Sequence, residues 1–257
     1  AKDRGFCFLT IYGSTFIFKP GFIMKLFFTI MLLFGPGAVY SQRVIDLTKE
    51  EAGITSAYYS MIGAPIPNSK YVSVEGSLYF DPAWMKGRIL LHDSIEYVNL
   101  FLRLDLFSNN VEFKDNNDQV FIASAPIKEL TLTDTVNGKQ FHFIHYSAFN
   151  NNATIEKGWY LLLVAGDVSL YKFMAKVVNE SKPYSSAIVE RRIETMDHYY
   201  LYSGSSLTRI KKIKDLPDLL PAKKAEITAY MKSNTLNSKN ETDFSNIITY
   251  YNTLLKK

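Results

Sequence analysis

The stretch Asn99-Leu-Phe-Leu-Arg-Leu-Asp-Leu-Phe107 decides how this chain is read. Leu100, Leu102, Leu104 and Leu106 share one face of a strand, and Phe101, Arg103, Asp105 and Phe107 share the other. A helix would scatter the four leucines round its axis, so a period of two prevails. The leucine face is core. The second face mixes aromatic rings with charges that can pair across strands.

Turn signals recur about every ten residues after this strand. Asp81-Pro82 breaks strand-like text that begins at Val72, and residues 87–91 and 95–107 follow around His92-Asp-Ser94. Downstream strands are expected at 111–114, 119–123, 127–133 and 140–146. Asn137-Gly138 is a hairpin signal, because both residues tolerate the positive φ of a type I′ turn. Residues 159–164 form a continuous apolar run, 168–178 alternate again, and 199–202 with 205–211 make a last hairpin round Ser203-Gly204. Residues 179–186 read as a polar loop. Upstream, residues 43–53 suit a short helical turn or a docking strand. Residues 61–67 are expected as loop, since Pro65 and Pro67 fit neither a helix interior nor a central strand.

The character changes near Lys214. Residues 222–233 read as a helix, and 242–255 as a better one, with Phe244, Ile247, Ile248, Tyr251, Leu254 and Leu255 at helical spacing. Asn240 or Thr242 can cap it. The expected fold is mainly β: an antiparallel meander forming a sandwich or open barrel, with a small C-terminal helical pair. Its parts are an N-terminal segment at 42–70, the β domain at 71–211 and the helical segment at 212–257.

Residues 1–41 are expected to deliver this domain rather than join it. Met24-Lys25, the apolar run 26–34 and Gly35-Pro36 before Ser41 match a signal peptide cleaved before Gln42. Residues 1–23 then read as a translated leader upstream of the start. The only cysteine, Cys7, lies in that leader. The mature chain therefore offers no disulfide, no thiolate zinc site and no cysteine nucleophile. Its charge is nearly balanced, 25 basic against 24 acidic residues, so nucleic acid is not an expected partner. Integral membrane placement after signal cleavage is not expected either, because neither early apolar run reaches the ~20 residues of a span.

No nucleophile elbow, zinc-protease helix, phosphate loop or dinucleotide fingerprint occurs, and no cofactor or metal is expected. His142 and His145 are three apart on a strand and face opposite sides, so they do not chelate one ion. Glu75, Asp81, Glu96 and Asp105 are carboxylates that a glycosidase could use if two of them met in space. The binding candidates are Trp84, Phe101, Arg103 and Asp105, because aromatics on a sheet stack on sugars or peptide side chains.

Gly76-Ser-Leu-Tyr-Phe-Asp-Pro-Ala-Trp84 with Lys86-Gly87, the strand 99–106, Ser181-Lys-Pro-Tyr-Ser185 and Tyr250-Tyr251-Asn252 resemble a poorly characterised group of exported β-rich envelope proteins of gram-negative bacteria. The resemblance implies an exported location, periplasmic, secreted or associated with the outer membrane. It implies no active site. The expected role is a non-catalytic binding or structural protein of the cell envelope with a protein or glycan partner. The alternative is a secreted paired-carboxylate hydrolase acting on a polymer such as a glycan.

Overall fold

In the computed structural model the described residues are 7–11, 14–18, 43–46, 62–65, 75–115, 118–149, 155–181, 190–236 and 240–256. The signal-peptide text at 24–41 and the expected strand start at 72–74 lie outside them, as do most of the Asn-rich loop at 149–154 and residues 182–186 of the expected polar loop. The chain divides into two units, 1–41 and 42–257. In the first, β1 (Cys7–Ile11) and β2 (Ser14–Phe18) pair as an antiparallel hairpin.

The second unit is built on one twelve-stranded sheet. Its strands are β3 (Arg43–Asp46), β4 (Ile62–Pro65), β5 (Met85–Leu91), β6 (Ile95–Asp105), β7 (Asn110–Lys114), β8 (Val120–Ala123), β9 (Ile127–Thr133), β10 (Gln140–His145), β11 (Trp159–Val164), β12 (Ser169–Ser181), β13 (Glu190–Ser203) and β14 (Ser206–Ile210). The order β14-β13-β12-β11-β10-β9-β5-β6-β7-β8-β4 is antiparallel throughout and does not close, and β3 docks parallel on the first half of β6. The expected mainly β architecture is therefore present, with one departure from a plain meander. After four strands in sequence, β9 returns to lie beside β5, as in a Greek key.

That return forces the sheet to bend. Only Ser124-Ala125-Pro126 separates β8 from β9, a link that reaches at most ~14 Å. In a flat sheet the two strands, four positions apart, would lie ~19 Å apart. The sheet curls instead, and Phe121 and Ala123 of β8 pack on the same core as Leu102, Leu130 and Phe143.

The leucine reading of β6 holds: Leu100, Leu102, Leu104 and Leu106 are all buried. Upstream the phase shifts. Asn99 takes φ 60°, and the pairing with β5 slips between Gly87/Leu100 and Ile89/Tyr97. This bulge turns Tyr97 inward beside the leucines and leaves Glu96 on the opposite face.

Several sequence expectations shift. Residues 62–65 form strand β4, which is possible for Pro65 because β4 is the outermost strand. Residues 43–46 are the docking strand rather than a helical turn. The Asn137-Gly138 connection is not a two-residue type I′ turn. Only Gly138 has positive φ, and Asp134 closes a wider loop by accepting from the Gly138 N–H at 2.8 Å. The tight turn with two positive φ values is Gly204-Ser205 between β13 and β14. Strand β12 runs through Asn179 and Glu180, which the sequence reading placed in loop.

The inner face of β12–β14 is covered by helices α1 (Leu216–Leu219), α2 (Lys224–Ser233) and α3 (Glu241–Leu255). Leu216, Ile227, Phe244, Ile247, Ile248 and Tyr251 bury against Val168, Leu170 and Leu201. Asn240 caps α3, accepting from the Asp243 N–H at 2.7 Å. Lys172 of β12 reaches Asp197 at 2.8 Å and Glu241 at 3.2 Å, which ties the start of α3 to the sheet. Burial works against the charge of Lys172, but these two carboxylates outweigh it and hold the ammonium above its usual pKa.

Candidate functional site

The outer face of β5, β6, β7 and β9 gathers most of the sequence-predicted residues. Arg103 pairs across the strands with Glu112, whose side chain is only 4% exposed. Arg103 Nη2 and Nε both donate to Glu112 Oε2, at 2.6 and 3.0 Å. The guanidinium lies 3.8 Å from the ring centre of Tyr79 and 4.4 Å from that of Trp84. The segment before β5 provides both rings. Tyr79 bridges to Asp105, and an Asp81 turn, with Oδ1 accepting from the Ala83 N–H, brings the chain round to Trp84. Tyr79 Oη also donates to Glu112 Oε1 at 3.3 Å. Burial, then the Glu112 charge, raises the Tyr79 pKa. Trp84 and Arg103 are thus brought together, and Tyr79 and Glu112 complete the stack.

Phe101 stands beside this stack and is 46% exposed. Lys86 and Lys114 are its direct cross-strand neighbours. Lys114 Nζ also lies 5.2 Å from the Trp84 ring centre. Asp105 is bonded elsewhere. It accepts from the Phe107 and Ser108 N–H groups and from the Ser108 hydroxyl, closing the β6–β7 turn.

On the same face, further along β5, a cavity of about 200 Å³ is lined by Arg88, Leu90, Glu96, Glu129 and Thr131. The ladder explains the grouping: Arg88 pairs with Thr131, and Leu90 stands between Glu96 and Glu129. Arg88 Nη1 meets Glu96 Oε1 at 2.7 Å, and Nε donates to Thr131 Oγ1 at 3.2 Å. Glu129 is held by His142 at 3.4 Å and Lys128 at 3.1 Å. The His142 hydrogen bond, helped by Lys128 and opposed by burial, pulls the Glu129 pKa down to about 2. In the sequence Glu96 is one candidate carboxylate among four, and Glu129 is not among them. Glu129 joins the site only because β9 returns beside β5, which a linear text does not record.

The histidines separate as the strand period requires. His142 faces Thr131 and Glu129, whereas His145 packs on Trp159 with ring centres 5.0 Å apart. His145 Nδ1 and His92 Nε2 both share hydrogen bonds with Ser147 Oγ, at 2.7 and 2.8 Å. Burial, then the nearby His92, lowers the His145 pKa. His198 and Asp197 diverge to Glu156 and Lys172. A second cavity, of about 450 Å³, lies by His198, Arg209 and Phe244.

Compared with protein-family models, curated proteins and solved structures, the chain matches none. Among the described residues, no group of three or more His, Cys, Asp or Glu side chains can hold a metal ion. Among them, too, no helix is long and apolar enough to cross a membrane.

Proposed function

We propose that the chain is an exported, non-catalytic binding protein of the bacterial cell envelope, and that an envelope glycan binds the outer face around Phe101. The row Lys86-Phe101-Lys114 across three strands carries this reading. It presents an exposed ring with the Lys86 ammonium 6.0 Å from its centre, beside a Trp84 ring that is stacked on Arg103 and approached by Lys114, itself paired with Asp118. Aromatic faces stack on sugar rings, and flanking charges bond their hydroxyls. The signal-peptide text of residues 24–41 supports export.

The paired-carboxylate hydrolase is less well supported. Such an enzyme needs one carboxyl group that keeps a proton near neutral pH. Glu129 is driven the other way, to about 2.

Affinity electrophoresis through gels containing envelope polysaccharides tests the reading. The full chain should be retarded by at least one polysaccharide, and Phe101→Ala and Trp84→Ala should migrate freely. Retardation that is equal in all three proteins, or its absence with every polysaccharide, overturns the binding face. Release of reducing ends from a retained polysaccharide would establish the hydrolase instead. Fractionation with N-terminal sequencing tests export, with Gln42 as the expected first residue.

A further inference from the structure

Charge balance and size single out the cavity between β5, β6 and β9. Each carboxylate at its wall has its own cation, Arg88 for Glu96 and Lys128 for Glu129. The site therefore carries no net charge to attract a phosphate or an amine. It does carry both halves of a hydrogen-bonding surface. The guanidinium of Arg88, whose side chain is half-exposed, supplies donors; Glu96 and Glu129 supply acceptors; the Thr131 hydroxyl can do both. Leu90 gives the wall one apolar patch. At about 200 Å³ the cavity lies below the ~300–1,000 Å³ of pockets for drug-sized ligands, and it equals the liquid volume of about seven waters. That leaves space for one small ring and not for a chain.

We propose that the cavity lined by Arg88, Leu90, Glu96, Glu129 and Thr131 is a subsite for one neutral sugar ring, free or at the end of a glycan. A sugar hydroxyl donates and accepts at once, which matches alternating donors and carboxylates. The ion pairs hold these groups in place before the ligand arrives, which lowers the ordering cost of binding. Such a subsite rests on the glycan-binding role proposed above. By register, Lys86, Arg88 and Leu90 share one side of β5, so a polymer lying on Phe101 can deliver its end into the cavity.

Saturation-transfer NMR on the full chain with a panel of methyl glycopyranosides tests this, with methyl phosphate and spermidine as charged probes. At least one glycoside should receive saturation, and neither charged probe should. Glu129→Gln and Thr131→Val, each confirmed as folded by circular dichroism, should weaken that binding about tenfold or more, as loss of a charge-assisted or buried hydrogen bond does. Val136→Ala, in the exposed connection between β9 and β10, should leave it unchanged. Glycoside binding that survives both cavity variants but is lost in Phe101→Ala overturns the subsite and leaves the binding face standing. So does a polysaccharide that binds while no glycoside does. Preference for phosphate or spermidine overturns the neutral-sugar assignment. Failure of both glycosides and polysaccharides removes the glycan role as well. Binding of a glycoside alone identifies a free sugar as the source, and competition between glycoside and polysaccharide identifies a glycan end.

Discussion

Asn252 of α3 pairs with the backbone of Val168 as a strand would. Its Oδ1 accepts from the Val168 N–H at 3.0 Å, and its Nδ2 donates to the Val168 carbonyl at 2.8 Å. The amide is buried, and it satisfies both backbone groups of Val168, the residue just before β12. Gly166 makes room for it, because a Cβ there would lie 2.4 Å from Nδ2.

Asn252→Ala should destabilise the chain by about 2–4 kcal/mol, because two buried backbone groups lose their partners at ~1–3 kcal/mol each. Gly166→Ala should act in the same direction by displacing the amide. Urea unfolding followed by fluorescence reads both. An unchanged midpoint for Asn252→Ala would show that water replaces the amide and that the helix is held by its apolar face alone.

Arg103→Ala should cost about 3–5 kcal/mol, because it leaves the buried Glu112 carboxylate without its cation. Adding Glu112→Leu to that variant should recover much of the loss, since the orphaned charge is then gone. Arg103→Lys should recover less, because an ammonium cannot lie flat between Tyr79 and Trp84. A double-mutant cycle in thermal unfolding measures the coupling. Additive losses would refute it.

Glu129 makes the fold sensitive to acid. Its carboxyl is held at about 2 in the fold against an ordinary value of 4.5, so its contribution is fully present above 4.5 and is lost as pH falls towards 2. After discounting for solvent screening the contribution is about 1–2 kcal/mol. Glu129→Gln should therefore unfold more easily at neutral pH and lose part of the acid-dependent slope between those values. Parallel acid titrations of both proteins, followed by circular dichroism, would contradict the assignment.

Asn99 carries the bulge of β6. Asn99→Gly should change stability by less than ~0.5 kcal/mol, since glycine adopts positive φ freely. Asn99→Val should cost about 1–2 kcal/mol through strain at φ 60°. Melting temperatures of the two variants decide it, and equal values would place the strain elsewhere.

The sequence alone determined the elements whose signals are local. Alternation placed Leu100, Leu102, Leu104 and Leu106 in the core, and helical spacing placed Phe244, Ile247, Ile248 and Tyr251 on one buried face. Asn240 was legible as a cap because capping uses neighbours only three residues away. Strand β13 was harder to see over residues 190–198, because much of it is solvent-exposed and shows no apolar alternation. The tertiary structure alone decided that β9 returns beside β5, that a bulge at Asn99 turns Tyr97 inward, and that Asn252 completes the start of β12. Each depends on which strand or backbone group lies beside another, and period-two text carries no record of pairing order. The candidate site divides the same way. Phe101 and Arg103 were legible from their strand, whereas Glu96 and Glu129 meet at one cavity only because a three-residue link bends the sheet.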